Sequence, residues 1–191
     1  MTKLCCEVLE RLQGKTLATA ESLTGGGIGA ALTGIPGSSA VYKGGVISYC
    51  DEVKAEVLGV APELLRTHGA VSAPVARAMA EGARRLLKTD VAVSVTGLAG
   101  PGGDEFGHPV GTVFIGYADG CVRRTEEHHF TGGRDQVRQQ TIRAALRLIL
   151  RENSGEAPGN GPSEEEENGY ADINPGAVRA SDHDRFGGAS E

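Results

Sequence analysis

Three side chains in the segment GSSAVYKGGVISYCDEVK, residues 37–54, have types that could perform nucleophilic chemistry. Ser39 carries a hydroxyl, and Lys54 could act as its general base, because a neutral lysine amine can accept a proton from a serine. Tyr49, near the end of a predicted strand, could point into the same cleft. No histidine occurs in this segment, so a serine–histidine pair is not available within it.

The pattern around Lys54 bears on whether its amine could be neutral. Asp51 is predicted to be the N-cap of a helix in EVKAEVLG, which places Lys54 at the third helical position, where the helix dipole disfavours a cation. Asp51 and Glu52 are close enough to favour the charged form instead. On spacing alone a second interpretation stays open, in which Lys54 is a solvated helix residue, Tyr49 is half-buried and Ser39 caps a turn.

Two glycine-rich loops follow predicted strands and could approach a phosphate. They are AESLTGGG, residues 20–27, and TGLAGPGG, residues 96–103. Glycine lets backbone N–H groups come close to an anion, and a helix N-terminus adds partial positive charge. Neither loop is a P-loop, because no GK[ST] follows, and tight turns alone would also explain the glycines. Glu21 and Ser22 could line a pocket there or serve only the fold.

Alternating strands and helices must position these loops. Apolar spacing predicts helices at residues 3–13, 24–34, 52–59, 62–69, 74–88 and 134–151, and strands at 15–21, 44–50, 90–97, 111–118 and 121–130. The last two strands are predicted to form a hairpin about Asp119 and Gly120. Early strand–helix alternation followed by a hairpin predicts a single-domain, three-layer α/β/α fold with a mixed sheet. Sites in such folds lie in loops at strand ends.

Composition divides the 191-residue chain into two parts. Residues 1–151 are predicted to form the globular domain, and residues 152–191 a disordered acidic tail that is rich in Gly, Pro and Ser and contains Glu164–Glu167. The tail carries ten acids and two arginines, a net charge of −8, whereas the whole chain has −6. The remaining +2 on the domain suits a small anionic ligand better than nucleic acid, which requires a clustered basic stripe with aromatic residues.

The sequence also indicates where the protein is located and whether it binds a metal. No apolar run is long enough for a membrane span, and the charged N-terminus does not resemble a signal peptide, so we expect a cytoplasmic protein. The four cysteines have no CxxC spacing, so neither structural zinc nor a disulfide framework is expected. His128 and His129 are adjacent on a predicted strand and face opposite sides, which makes them a poor metal pair.

Several segments together resemble the C-terminal domain family of CinA, whose stand-alone members are nicotinamide-nucleotide amidases. The segments are TLATAESLTGGGIGAALTGIPGSSAVYKGGVISYCDEVKAEVLGV, HGAVSAPVARAMAEGA, SVTGLAGPGG and PVGTVFIG, in this order across about residues 5–150. The resemblance implies hydrolysis of the carboxamide of nicotinamide mononucleotide (NMN), which gives nicotinic acid mononucleotide and ammonia. It also implies a serine hydrolase that uses no metal and no cofactor, and a chain that forms homo-oligomers.

The resemblance also implies roles for individual residues. Ser39 is the nucleophile, Lys54 is its base, and Tyr49 orients the lysine or relays the proton. The residues implied for substrate binding are Thr24, Gly25, Gly26, Thr96, Gly97, Ala99, Gly100, Arg134 and Arg138, and either arginine could contact the phosphate.

The chain departs from the family pattern at two places. Leu23 stands where many members have cysteine, with little expected chemical consequence because the nucleophile lies elsewhere. Cys50 and Asp51 replace a common Ser-Asn pair, and the added charge of Asp51 near Lys54 could weaken the base.

Two other functions remain open from the sequence. A short-chain dehydrogenase would also use Ser, Tyr and Lys after a glycine loop, but it needs Tyr-x-x-x-Lys on one helix, whereas Tyr49 and Lys54 are one residue further apart and cross a strand–helix junction. A non-catalytic, regulatory CinA-like module linked to competence or DNA damage is the second alternative, and its acidic tail could contact a basic partner. No nucleic acid or membrane partner is expected.

Overall fold

A five-stranded mixed sheet organises the chain in the computed structural model, which describes residues 1–154. The strands are β1 Leu17–Glu21, β2 Tyr42–Ile47, β3 Val91–Gly97, β4 Thr112–Ala118 and β5 Arg123–His129, in the spatial order β2-β1-β3-β4-β5. Strands β2, β1 and β3 are parallel, and β4 and β5 continue the sheet antiparallel. The predicted mixed sheet and its late hairpin are thus confirmed.

In the described residues, six α-helices form two layers around the sheet. They are α1 Thr2–Arg11, α2 Gly27–Thr33, α3 Asp51–Glu56, α4 Pro62–His68, α5 Ala73–Leu87 and α6 Arg134–Glu152. Helix α5 packs on β1, β3 and β4 on one face of the sheet and shares an apolar cluster with β1 and β3. Helices α1, α2 and α6 pack together over a second cluster on the other face. The fold is therefore the three-layer α/β/α arrangement predicted from the sequence.

The two central parallel strands are buried along their lengths, as their apolar residues predict. On one face Ala18 and Ala20 leave room for α5, which contributes Val75, Met79 and Ala83 to the cluster. Gly82 of α5 lies against the carbonyl oxygen of Leu58 so closely that a Cβ would not fit. This close approach holds the segment after α3 against the domain and so fixes the position of α3.

A buried carboxylate closes the first glycine-rich loop. Glu21, the last residue of β1, is 1% exposed and accepts hydrogen bonds from Thr24 Oγ1 at 2.7 Å, from the Ile28 N–H at 2.9 Å and from the Gly29 N–H at 2.8 Å. These N–H groups belong to the first turn of α2, where a helix has no internal acceptors. Glu21 thus serves the fold by capping α2.

Helix α3 begins one residue earlier than the predicted cap implies. Cys50 is the N-cap, with extended backbone angles, and its carbonyl oxygen accepts a hydrogen bond from the Lys54 N–H at 3.3 Å. The prediction that Asp51 is the N-cap is therefore wrong, because Asp51 is already helical. Lys54 consequently occupies the fourth helical position rather than the third.

Helix α6 runs to Glu152, the first residue of the segment predicted to be a disordered tail. Residues 155–191 of that predicted tail lie outside the described residues. None of the helices described between residues 1 and 154 is long and apolar enough to cross a membrane.

Candidate active site

The carboxyl ends of β2, β1 and β3 meet at one edge of the sheet, and a cavity of about 280 Å³ lies there. Its lining comes from the loops after these strands, from α3 and from the start of α6. The lining residues with reactive or polar side chains are Ser22, Tyr49, Asp51, Lys54, Thr96 and Arg134. A larger groove of about 560 Å³ runs along the first turns of α6, but it has no serine, cysteine, tyrosine or lysine in its lining.

Lys54 is the deepest charged group of this cavity. Its side chain is 2% exposed, and its Nζ donates a hydrogen bond to Asp51 Oδ1 at 3.0 Å. Asp51 lies one helical turn before Lys54 and is 54% exposed, so the carboxylate joins the buried amine to solvent. A buried lysine beside a cavity is a group that can exchange a proton with a bound ligand.

Tyr49 and Arg134 form the outer wall of the cavity. The Nη2 of Arg134 donates to the Tyr49 hydroxyl oxygen at 2.9 Å, and its Nη1 donates to the Gly100 carbonyl oxygen at 2.8 Å. The guanidinium thereby links the β2–α3 connection to the loop after β3. It also presents a fixed positive charge to the cavity, which is what a phosphate requires.

The end of β3 and the loop after it supply one side of the cavity through Thr96, Gly97, Ala99 and Gly100. The Thr96 hydroxyl donates to the Ala70 carbonyl oxygen at 2.7 Å, so this hydroxyl is already engaged in holding the loop before α5. Gly97 has no room for a side chain, because a Cβ would lie 2.7 Å from the Thr112 carbonyl oxygen. The close pairing of β3 with β4 therefore explains why glycine occupies position 97.

Ser22 is the one serine that shares the cavity with Lys54 in the described residues. It follows β1 directly, its N–H donates to the Val95 carbonyl oxygen at 3.0 Å, and the residue is 8% exposed. The sequence indicated only that Ser22 could line a pocket, and the parallel pairing of β1 with β2 and β3 brings it to this edge.

Ser39 lies at the opposite end of β2. It is an exposed residue of the 3₁₀ turn Ser38–Ala40, which ends one residue before β2 begins, whereas Tyr49 and Lys54 follow that strand. Six residues of strand span about 17 Å. Within one chain the structure therefore does not bring Ser39 together with Lys54, although 15 positions separate them in the sequence.

The loop residues Thr24, Gly25 and Gly26 lie outside this cavity's lining. Thr24 is fully buried and is bound to Glu21, while Gly25 and Gly26 have φ values of 60° and 92° that suit a turn into α2. Arg138 holds the same turn, because its Nε and Nη2 donate to the carbonyl oxygens of Leu23 at 3.2 Å and Thr24 at 2.9 Å. Of the two candidate arginines, only Arg134 lines the cavity.

One buried polar atom next to the site lacks a partner. Ser48 Oγ is the single buried side-chain polar atom without a hydrogen bond among residues 1–154. Its backbone N–H donates to the Glu21 carbonyl oxygen at 2.8 Å, which fixes the end of β2 directly before Tyr49.

Comparison with known proteins agrees with this fold and with the resemblance noted in the sequence. Residues 1–153 match the family described as the CinA C-terminal domain, and the chain belongs to that family. A CinA-like protein of Parasynechococcus marenigrum (strain WH8102) is 51% identical over 152 residues, which are 78% of this chain and 36% of that protein. A CinA-like protein of Mycolicibacterium gilvum is 46% identical over 151 residues, again 36% of its length. The chain thus spans about a third of the curated relatives it matches.

Similar proteins of known structure are matched over almost their whole length by this chain. The competence damage-inducible protein A of Klebsiella pneumoniae subsp. pneumoniae has a TM-score of 0.79 and 35% identity, over 82% of this chain and 98% of that one. The competence/damage inducible protein CihA of Agrobacterium tumefaciens has a TM-score of 0.77 and 38% identity, over 80% and 94%. These likenesses establish the α/β fold as that of the CinA superfamily.

Proposed function

We propose that the chain hydrolyses the carboxamide of NMN to nicotinic acid mononucleotide and ammonia. The observation that carries this proposal is the buried Lys54 amine beside a cavity that also presents the Arg134 guanidinium. One group can move a proton and the other can hold a phosphate, and NMN contains both an amide and a phosphate. The substrate itself is taken from the sequence resemblance to nicotinamide-nucleotide amidases.

The proposed reaction is acyl transfer in two halves. Neutral Lys54 takes the proton of a serine hydroxyl as the serine oxygen attacks the amide carbon. As the tetrahedral intermediate collapses to the acyl-enzyme, the Lys54 ammonium gives this proton to the departing nitrogen, which leaves as ammonia. Water then attacks the acyl-enzyme ester and gives its proton to Lys54. Cleavage of the ester bond returns that proton to the serine and releases the acid.

Substrate binding is assigned to the outer wall of the same cavity. Arg134 is held by the Gly100 carbonyl oxygen and Tyr49 and would bind the phosphate by charge-assisted hydrogen bonds. Backbone N–H groups of the loop after β3 are the candidates for stabilising the oxyanion, each good donor contributing on the order of 3 kcal/mol. Tyr49 is assigned to orienting this wall and the lysine behind it.

We assign the nucleophile to Ser39, as the resemblance implies, with Ser22 as the competing serine inside the cavity. The test is ammonia release from NMN by the purified wild type and by Ser39→Ala, Ser22→Ala and Lys54→Ala, each with its fold checked by circular dichroism. We expect Ser39→Ala and Lys54→Ala to abolish release and Ser22→Ala to retain most of it. Loss in Ser22→Ala with activity in Ser39→Ala would move the nucleophile to Ser22. No release by folded wild type would refute the amidase.

A binding function without turnover is the second candidate, because Lys54 is held 3.0 Å from the Asp51 carboxylate in an ion pair, an arrangement that suits binding of a ligand without proton abstraction. Calorimetry with NMN separates the two functions. Binding of unchanged NMN by wild type, with no ammonia over hours, would favour the regulatory module.

A further inference from the structure

Strand β2 forms one edge of the sheet, and its outer side pairs with no other strand among residues 1–154. The Ser48 N–H points inward to the Glu21 carbonyl oxygen, so alternation along the strand directs the N–H and C=O groups of Gly45 and Ile47 outward. An unpaired strand edge is a template for another strand.

After its first two residues, the β2 edge has few of the features that prevent pairing with another strand. Edge strands are commonly protected by charges, proline or bulges. Here the one charged side chain, Lys43, and the one irregularity in the pairing with β1 both lie at the start of the strand. Gly44 and Gly45 leave the middle without side chains. Ile47 follows with 56% of its surface exposed.

Apolar side chains continue from this edge toward the cavity. Seven large hydrophobic residues are exposed in the described part of the chain, and three of them, Ile47, Tyr49 and Val57, lie within eleven consecutive residues after the middle of β2. Of these, Ile47 lies on the edge strand itself and Tyr49 lines the cavity, and exposed apolar residues near an open strand edge mark an interaction site. A partner on the β2 edge would cover this surface.

A second copy of this chain is the partner on the β2 edge that would change where Ser39 lies relative to the cavity. Two identical strands that pair about a two-fold axis run antiparallel, and the residue numbers of opposite positions then have a constant sum. If Gly44, Gly45 or Val46 lies on the axis, this register, extended beyond the ends of the two β2 strands, places Ser39 of one copy on the side of residues 49 to 53 of the other. Antiparallel pairing therefore carries each Ser39 from the far end of its own β2 to the Lys54 cavity of the second copy.

We propose that two copies of this chain pair antiparallel along β2 and that each donates Ser39 to the cavity that holds Lys54 of the other. The proposal rests on the proposed amidase function and on Ser39 as its nucleophile. Within one chain, about 17 Å of strand separates Ser39 from Lys54. Pairing of two copies would nevertheless bring a serine and a lysine together in one site. It also makes the site composite, so that a monomer would hold a base without its nucleophile.

Complementation between two inactive variants tests the shared site. Ser39→Ala and Lys54→Ala chains with different affinity tags are co-expressed, and the mixed species is isolated by two successive purifications. A mixed dimer keeps one cavity with Lys54 and the Ser39 of the other chain, so we expect about half of the wild-type rate of ammonia release. The control pair, Tyr49→Phe with Lys54→Ala, has both changes on the same side of the site and should recover nothing beyond its parents.

Oligomeric state is measured independently of chemistry by sedimentation velocity. We expect a wild-type dimer that Ile47→Lys converts to a monomer without ammonia release, while Leu86→Lys, an equally apolar exposed position on α5, stays dimeric and active. A monomeric wild type, an inactive mixed dimer from an active wild type, or an active Ser39→Ala would each overturn the shared site. An inactive wild-type dimer that Ile47→Lys still dissociates would instead refute the amidase and retain the interface.

Discussion

The Nζ of Lys54 lies 3.0 Å from Oδ1 of Asp51, yet the lysine side chain is 2% exposed and the aspartate 54%. The pair therefore joins a buried amine to a carboxylate in solvent. Proton abstraction from a serine requires a free lone pair on the lysine nitrogen, and this nitrogen is engaged by the Asp51 carboxylate. Asp51 is thus the residue that most directly limits Lys54 as a base.

Removing the charge of Asp51 should accelerate the reaction. We expect Asp51→Asn to raise kcat/KM at neutral pH several-fold, because the Lys54 nitrogen is then no longer held in an ion pair. Asp51→Glu, which keeps the charge, is the matched control and should leave kcat/KM near that of wild type. A slower Asp51→Asn enzyme would show that the carboxylate contributes to catalysis.

Two substitutions distinguish the chemical role of Lys54 from its structural role. Lys54→Arg should abolish activity, because a guanidinium stays protonated at any working pH. Lys54→Met should be equally inactive, a loss of at least about 100-fold, but as stable as wild type or more so, because replacing a buried charge by an apolar side chain is often neutral or stabilising. Ammonia release and urea unfolding measure the two effects. Strong destabilisation by methionine would show that the ion pair holds α3 in place.

Arg134 and Arg138 are one helical turn apart and should respond differently to the same change. Arg134→Gln should raise KM for NMN by about 10- to 100-fold, since charge-assisted hydrogen bonds contribute roughly 1.5–3 kcal/mol. Arg138→Gln should instead lower the melting temperature, because it releases the carbonyl oxygens of Leu23 and Thr24. Steady-state kinetics and thermal unfolding of both variants check this. A reversal of the two effects would place the phosphate at the α2 turn.

The layers of the fold were predictable because the apolar pattern acts locally. The buried runs of β1 and β3, the Asp119–Gly120 hairpin and the amphipathic α6 are each encoded within a few residues. The start of α3 was missed by one residue, because Cys50 takes the extended conformation of an N-cap although Asp51 is the better capping side chain.

The assembly of the cavity was less predictable because it depends on contacts distant in sequence. Lys54 is flanked by Asp51, Glu52 and Glu56, a pattern typical of a solvated helix, yet its side chain is 2% exposed. The contact between Arg134 and Tyr49 joins positions 85 residues apart. Ser39 shows the converse, since it is close to Lys54 in sequence but β2, a strand already predicted at residues 44–50, separates the two within one chain.

Glu21 should matter to stability more than to chemistry. Glu21→Ala removes three hydrogen bonds from the first turn of α2 and its preceding loop, and buried donors left without acceptors cost about 1–3 kcal/mol each. We therefore expect a loss of several kcal/mol in the free energy of unfolding, measured in urea. Glu21→Gln keeps one acceptor oxygen and should recover part of the loss. An unchanged unfolding free energy in both variants would show that α2 does not depend on this cap.

The β4–β5 hairpin should make stability depend on acid pH through Asp119. Burial raises the pKa of this carboxyl, but the N–H groups of Val122 and Cys121 and the Tyr117 hydroxyl donate to it, and the net pKa lies below the ordinary value of 3.8. A lowered folded-state pKa contributes stability above the ordinary value and loses it as pH falls through the folded one.

Asp119→Asn should therefore be less stable than wild type by about 1 kcal/mol near pH 7. The difference should stay constant down to about pH 5, narrow as pH falls below 3.8, and vanish in stronger acid, because protonated Asp119 has no charge to lose. Urea unfolding of both proteins across this range gives the difference directly. Glu105→Gln, in the loop before β4 and without a hydrogen bond to its side chain among the described residues, controls for the loss of one negative charge. A difference that persists unchanged into strong acid would mean that the hairpin needs the shape of the aspartate and not its charge.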